Sequence, residues 1–161
     1  MWNEEIWRVN KSVESRWATA ENPTGEKGAG GMKGEGRKGS PSFSLESGET
    51  KVLAFAEGVS GVIRRIWVTI PQRNLQFLRG LRIRMYWDGS KKPAVDCPLG
   101  DFFGMSLGHC VSFQSALFSS PEGRSFNCYI PMPFRKGMKI EVLNETTERV
   151  DMFFYEIDYT L

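Results

Sequence analysis

The most regular stretch of the chain is Leu81–Trp87, which reads LRIRMYW. Leu81, Ile83, Met85 and Trp87 fall on one side of an extended chain; Arg82, Arg84 and Tyr86 fall on the other. A period of two is what a strand with one buried face requires. Asp88-Gly89 follows and supplies turn chemistry. The alternation returns over residues 149–159, where Phe153, Tyr155, Ile157 and Tyr159 oppose Met152, Phe154 and Glu156. Residues 61–70, GVIRRIWVTI, are rich in β-branched side chains, place Val62, Ile66, Val68 and Ile70 on one face, and stop at Pro71. Shorter runs at 42–45, 50–56, 94–97, 115–118, 126–131 and 138–144 complete the set of expected strands.

This density of short strands, separated by turn residues, predicts an all-β jelly-roll β-sandwich whose Greek-key connections cover most sheet edges. Ile6, Val9 and Val13 recur at helical spacing and predict one short N-terminal helix over residues 6–17. The chain then divides into residues 1–40, a helix followed by a Gly-rich loop, and residues 41–161, a single jelly-roll domain.

Composition narrows the function. The 161 residues carry 21 basic and 19 acidic side chains, a near balance that argues against nucleic-acid and membrane-surface partners. The N-terminus has no apolar signal core and no run of about 18 apolar residues occurs, so a cytoplasmic location is expected. Cys97, Cys110 and Cys128 are too widely spaced for a zinc site and read as free, buried thiols. His109 has no partner for a metal site or a catalytic triad. No cofactor is expected. Asn144-Glu145-Thr146 is a formal glycosylation sequon without meaning unless the chain is secreted.

Gly34 to Gly39, GEGRKG, fits the letters of a dinucleotide-binding turn. A true fingerprint lies between a buried strand and a helix, and neither flanks it here. The phosphate-loop pattern fails as well, because Gly31 to Gly36 is followed by Arg37-Lys38, and Gly34 to Gly39 by Ser40 with no Lys. Residues 21–40 therefore read either as a flexible tether or as a loop that wraps a neighbour or lines a pocket.

Aromatic residues make up 12% of the chain and include five Trp, a composition suited to sandwich cores and to sugar-stacking platforms. Trp67 and Trp87 are the platform candidates, with Trp87 on the apolar face of its strand. Asp88 and Asp101 sit at strand ends beside aromatic residues. Asp88, before Gly89, reads either as turn chemistry or as a ligand contact, whereas Asp101, next to Phe102 and Phe103, either caps loop N–H groups or faces a sugar hydroxyl. Asp-Phe-Phe-Gly is not a kinase motif, since the accompanying Lys and His-Arg-Asp elements are missing. Glu21 and Asn22 open a polar turn able to bind hydroxyls. Arg64, Arg65, Arg79, Arg82 and Arg84 form a basic cluster, either a solvated sheet face or a docking surface.

Several landmarks occur together and in order. They are Ser15-Arg16 with the run from Ala20 to Gly28, AENPTGEKG; Ile66-Trp67-Val68-Thr69; Tyr86-Trp87-Asp88-Gly89; the run from Pro98 to Gly104, PLGDFFG; the run from Pro131 to Gly137, PMPFRKG; and Tyr155-Glu156-Ile157-Asp158-Tyr159. This series resembles glycoside hydrolase family 172. The resemblance implies a jelly-roll fold, usually doubled and assembled as trimers or hexamers. It further implies retaining chemistry on furanosides, fructofuranosides and arabinofuranosides, by two glutamates of the second jelly roll. The present chain matches only the first, so no catalytic glutamate is carried over and the chain alone is expected to be inactive. The expected partners are a furanoside ligand and either a second jelly-roll half or further copies of the chain. A non-catalytic assembly or carbohydrate-binding module is the rival reading. Candidate ligand contacts are Glu21, Asn22, Trp67, Asp88, Asp101, Phe102 and Phe103.

Overall fold

The computed structural model describes residues 10–32 and 39–161. Among these, the strands run β1 (Ser15–Thr19), β2 (Ser42–Leu45), β3 (Thr50–Glu57), β4 (Gly61–Thr69), β5 (Leu81–Trp87) and β6 (Val95–Pro98). They continue as β7 (Phe113–Gln114), β8 (Phe118–Ser120), β9 (Phe126–Cys128), β10 (Met132–Phe134), β11 (Gly137–Asn144) and β12 (Val150–Thr160). Two short helices, α1 (Leu75–Gly80) and α2 (Leu99–Phe102), bracket β5 and β6.

The pairing is that of one long hairpin rolled up. β2 pairs with β12, β3 with β11, β4 with β9 and β5 with β6, all antiparallel. Rolling places alternate pairs in opposite layers. The first sheet has the order β1-β12-β4-β9-β8-β7, with β2 also on β12 and β10 also on β4; the second is β3-β11-β5-β6. The protein is therefore an all-β jelly roll.

The core lies between the layers. β12 contributes Phe153, Tyr155, Ile157 and Tyr159, each at most 2% exposed, and β5 contributes Leu81, Ile83 and Met85. Burying each such side chain stabilises the fold by about 1.5–3 kcal/mol. Met138, Ile140 and Val142 of β11 join them from the neighbouring strand of the second sheet.

Two expectations are corrected. Residues 15–17 belong to β1 and not to a helix; Ala18 is buried in the core and Val13 is exposed, while Ile6 and Val9 lie outside the described residues. The free edge of β12 supplies partners for β1, from Ser15↔Thr160 to Thr19↔Glu156, so tertiary pairing overrides a weak helical spacing. In β4 the strict period of two breaks. Asp158 pairs with Arg65 and Tyr159 with Ile63, so Arg64 is one extra residue, a β-bulge. Ile63 consequently joins Ile66, Val68 and Ile70 in the core, and Val62 does not.

The sequon has a structural role. Asn144 is fully buried, its Nδ2 donating to the carbonyls of Leu45 (3.1 Å) and Glu148 (2.8 Å). Its Oδ1 accepts from the Thr146 amide (3.0 Å) and hydroxyl (2.7 Å), which closes the β11–β12 turn.

Candidate functional site

Strand alternation decides what the outer face of the first sheet shows. With Tyr155, Ile157 and Tyr159 inward, Phe154, Glu156 and Asp158 face out. Cross-strand register then builds a grid. Glu156 lies between Thr19 of β1 and Trp67 of β4; Asp158 lies between Trp17 and Arg65; Phe154 is opposite Thr69. A cavity of about 300 Å³ is lined here by Trp17, Thr19, Trp67, Phe154 and Glu156, and by Glu21, Ser40 and Pro41 from the loop beside them. Trp17 is 49% exposed, so a large apolar ring stands open to solvent at the rim.

Arg65 orders the acidic row. Its Nη2 lies 2.6 Å from Glu156 Oε2 and its Nε 2.7 Å from Asp158 Oδ2. All three side chains are partly exposed, so the pairing is worth no more than about 1 kcal/mol each, and its main effect is to fix direction. Thr19 Oγ1, on the same cross-strand row as Glu156, is buried and has no hydrogen-bond partner among the described residues. A buried hydroxyl in that state is a place where a ligand oxygen fits.

The loop wall is fixed from below by β12. Tyr155 donates its hydroxyl to Thr19 O (2.6 Å), and Tyr159 donates to Thr24 O (2.9 Å). Burial pushes both phenols up from their ordinary range, so both stay protonated donors at any ordinary pH. Asn22 is 6% exposed; its Oδ1 accepts from the Glu26 amide (3.0 Å) and its Nδ2 donates to Glu26 O (3.0 Å). The Phe55 amide donates to Pro23 O (3.0 Å), tying the turn to β3. Gly25 closes this turn at φ +59°, and a Cβ there would run into Tyr159 Oη. Glu21 accepts from the backbone amides of Gly31 and Ser40 (3.2 Å to the latter), drawing the two sides of the Gly-rich segment together.

Of the seven expected ligand contacts, Glu21 and Trp67 share this cavity. Asn22 adjoins it in sequence, but its amide is spent on holding the turn. Asp88 lies on the other sheet, at the end of β5, in the left-handed region at φ 57°. Its Oδ1 accepts from the amides of Arg135 (2.8 Å) and Lys136 (2.7 Å), and these two N–H groups hold its carboxyl below the usual range. Asp101 pairs with Arg79 of α1 at 2.5 Å. Phe103 is 1% exposed and stacks on Phe126 at 5.6 Å, so it is a core residue with no face left for a ligand. Phe102 meets Phe103 and Phe118 edge-on and completes the same packing. Trp87 also packs against the core.

The basic cluster splits between the sheets. Arg65 serves the first; Arg79, Arg82 and Arg84 pair with Asp101 or Asp96 at the second. Cys128 is buried as expected, Cys97 and Cys110 are half-buried, and burial raises all three thiols. Among the described residues no group of three or more His, Cys, Asp or Glu side chains is placed to hold a metal, and no helix is long and apolar enough to cross a membrane. The Gly34 to Lys38 part of GEGRKG lies outside the described residues.

A family model described as GH172 domain-like matches residues 37–157. No curated protein sequence matches the chain. Among solved structures, it is similar to the infectious bursal disease virus VP2 subviral particle, at 12% identity and a TM-score of 0.44, over 94% of this chain and 33% of that one. For the Gt strain of the same virus the values are 11% and 0.41, over 94% and 32%. For the Gx strain they are 12% and 0.40, over 92% and 32%. The chain thus spans about a third of the length of these structures.

Proposed function

We propose, since this chain belongs to the family of GH172 domain-like proteins over residues 37–157, that it is a sugar-holding jelly-roll half of a furanoside-acting glycoside hydrolase. The observation that carries this reading is Glu156, in register with Trp67, in a cavity of about 300 Å³ that Trp17 and Phe154 also line. A furanoside presents an apolar ring face and a rim of hydroxyls. The ring face packs on Trp67 and Trp17, and the hydroxyls donate to Glu156 in charge-assisted hydrogen bonds. Thr19 Oγ1 supplies one further polar contact.

A retaining glycosidase brings two carboxyl groups to about 5–5.5 Å, one as nucleophile and one as acid/base. The two glutamates of the cavity are already committed. Glu21 holds the amides of Gly31 and Ser40, and Glu156 is held by Arg65. That favours binding over bond cleavage for this chain, with the reacting glutamates on a second jelly-roll half. Trimers or hexamers of the completed protein are part of the proposal. The same commitment of Glu21 and Glu156 favours, as second reading, a module that binds carbohydrate or assembles without catalysis.

Titration with nitrophenyl arabinofuranoside and fructofuranoside, followed by tryptophan fluorescence, tests the site. Wild-type protein is expected to bind without turnover, and Trp67→Ala to lose at least tenfold in affinity while Tm shifts by less than about 4 °C. Turnover by this chain alone would refute the division of labour. Equal binding by Trp67→Ala, or none by wild type at high millimolar sugar, would refute the site. Adding a glutamate-bearing second half separates the two readings, because only the hydrolase reading expects turnover.

A further inference from the structure

The outer face of the first sheet carries a second cavity, beyond the row of Trp17. It measures about 470 Å³, and Ser15, Trp17, Arg64, Asp158 and Thr160 line it. Trp17 also lines the cavity of about 300 Å³ that holds Trp67. Strand register accounts for this sharing. Successive outward rows cross β12: Thr19, Glu156 and Trp67; then Trp17, Asp158 and Arg65; then Ser15 and Thr160. Outward residues of a strand recur at every second position, so neighbouring rows stand about 7 Å apart and the outer two about 13 Å apart. Trp17, in the middle row, borders both cavities, and the two make one trough along β12.

The β4 bulge equips the far end of the trough. In a regular strand one of Arg64 and Arg65 would turn inward; here Ile63 and Ile66 both fill the core, and Arg64 is exposed. Arg65 is committed to Glu156 and Asp158. Arg64 is not committed in that way. Its Nε donates to Thr160 Oγ1 at 3.2 Å, and its two Nη groups make no hydrogen bond or ion pair among the described residues. Asp158 spends Oδ2 on Arg65 and keeps Oδ1 as an acceptor. The far end therefore sets donors and an acceptor beside the exposed Trp17 ring. That is the chemistry a second sugar ring needs, an apolar surface to lie on with hydrogen-bond partners of both kinds for its hydroxyls.

Charge narrows the ligand further. Glu14 carries Arg16 and Lys27, and Arg65 carries Glu156 and Asp158. Arg64 and Glu21 complete the set, so among the described residues the charges lining the trough and their partners cancel. A balanced trough selects against both anionic and cationic chains. Resting on the reading of the Trp67 cavity as a furanoside site, we infer that the trough takes an uncharged furanoside chain of two or more rings, with rings on both sides of Trp17. A single furanose fills only part of it.

The test is amide NMR of the whole chain titrated with linear arabinofuranose and fructofuranose oligomers of increasing length, with the methyl furanosides as one-ring members and oligogalacturonate as the charged control. In the better-bound series, affinity is expected to rise about tenfold from one ring to three and then to level off. The longer oligomers should shift the amides of Ser15, Arg64 and Thr160, which the one-ring member leaves in place. Their binding should not change with salt. Arg64→Ala should cut the gain from added rings to less than about threefold. Equal affinity for one ring and three, with Trp67→Ala still weakening both, would overturn the inference and leave the Trp67 site standing. No binding of any furanoside would overturn both. Oligogalacturonate binding more tightly than the neutral chains, or an unchanged gain in Arg64→Ala, would also overturn the inference. Should that variant not fold, wild-type shifts that stay confined to the Trp67 cavity at every length would overturn it.

Discussion

Gly25 is where the loop beside the Trp67 cavity meets the sandwich, and replacing it with alanine tests how that wall is held. Two costs are separable. The residue sits at φ +59°, a conformation that costs an L-residue about 1–2 kcal/mol. The new Cβ would also run into Tyr159 Oη and lie 3.0 Å from two of its ring carbons, so the phenol must shift and release Thr24 O. Overpacking and one lost hydrogen bond add about 2 kcal/mol together, for a total of roughly 3–4 kcal/mol. Tyr159→Phe alone removes the bond to Thr24 and should cost about 1 kcal/mol. Combining the two removes the closest clash and counts the lost bond only once. The double variant should therefore cost about 2–3 kcal/mol, less than the sum of the single changes by about 2 kcal/mol. Urea unfolding of the four proteins of this cycle measures the difference directly. Additivity within about 0.5 kcal/mol would show that Gly25 and Tyr159 do not share a contact, and the account of the loop would fail with it.

Asn144→Ala should destabilise the protein by about 3 kcal/mol, since it strands buried groups of Leu45, Thr146 and Glu148 at the β11–β12 turn; a loss below about 1 kcal/mol in urea unfolding would contradict this. Asp88 gives a pH dependence of known sign. Its folded pKa is lowered, first by the Lys136 amide and then by that of Arg135, so its stabilisation is present above the unfolded value near about 3.9 and is lost as pH falls below it. Asp88→Asn keeps an acceptor oxygen without the charge. It should unfold more easily than wild type at neutral pH, and the gap should close in acid; a gap independent of pH would refute the assignment.

The strands of strict period two were legible in the sequence. β5 and β12 follow their alternation because each has one face on the core; in β12 it holds from Phe153 to Tyr159, after an irregularity between Val150 and Phe153. β4 was legible as a strand but not in its phase, since nothing in GVIRRIWVTI marks Arg64 as the extra residue. β1 was read as a helix because Val13 and its neighbours carry helical spacing, while the β12 edge that recruits residues 15–19 lies more than a hundred residues away in sequence. That misreading hid Trp17 and Thr19 from the candidate site. Glu156 and Phe154 were legible as the outward set of β12, but their meeting with Trp67 depends on register, which pairwise patterns do not encode. α1 left one signal, Asn74, whose Oδ1 caps the Phe77 amide at 3.2 Å. Asp101 pairs with Arg79, and Phe102 and Phe103 pack against Phe118 and Phe126, contacts that residue type alone does not encode.

The single inserted arginine in β4 has an architectural consequence. On its N-terminal side the strand is spelled in one frame, with Ile63 inward beside β10; on its C-terminal side it is spelled in the other, with Ile66 and Val68 inward beside β9. Trp67 faces outward because of that frameshift in space. The cavity and the core at the opposite end of the same strand are thus punctuated by one residue, and neither can be shifted by a position without turning part of the strand inside out.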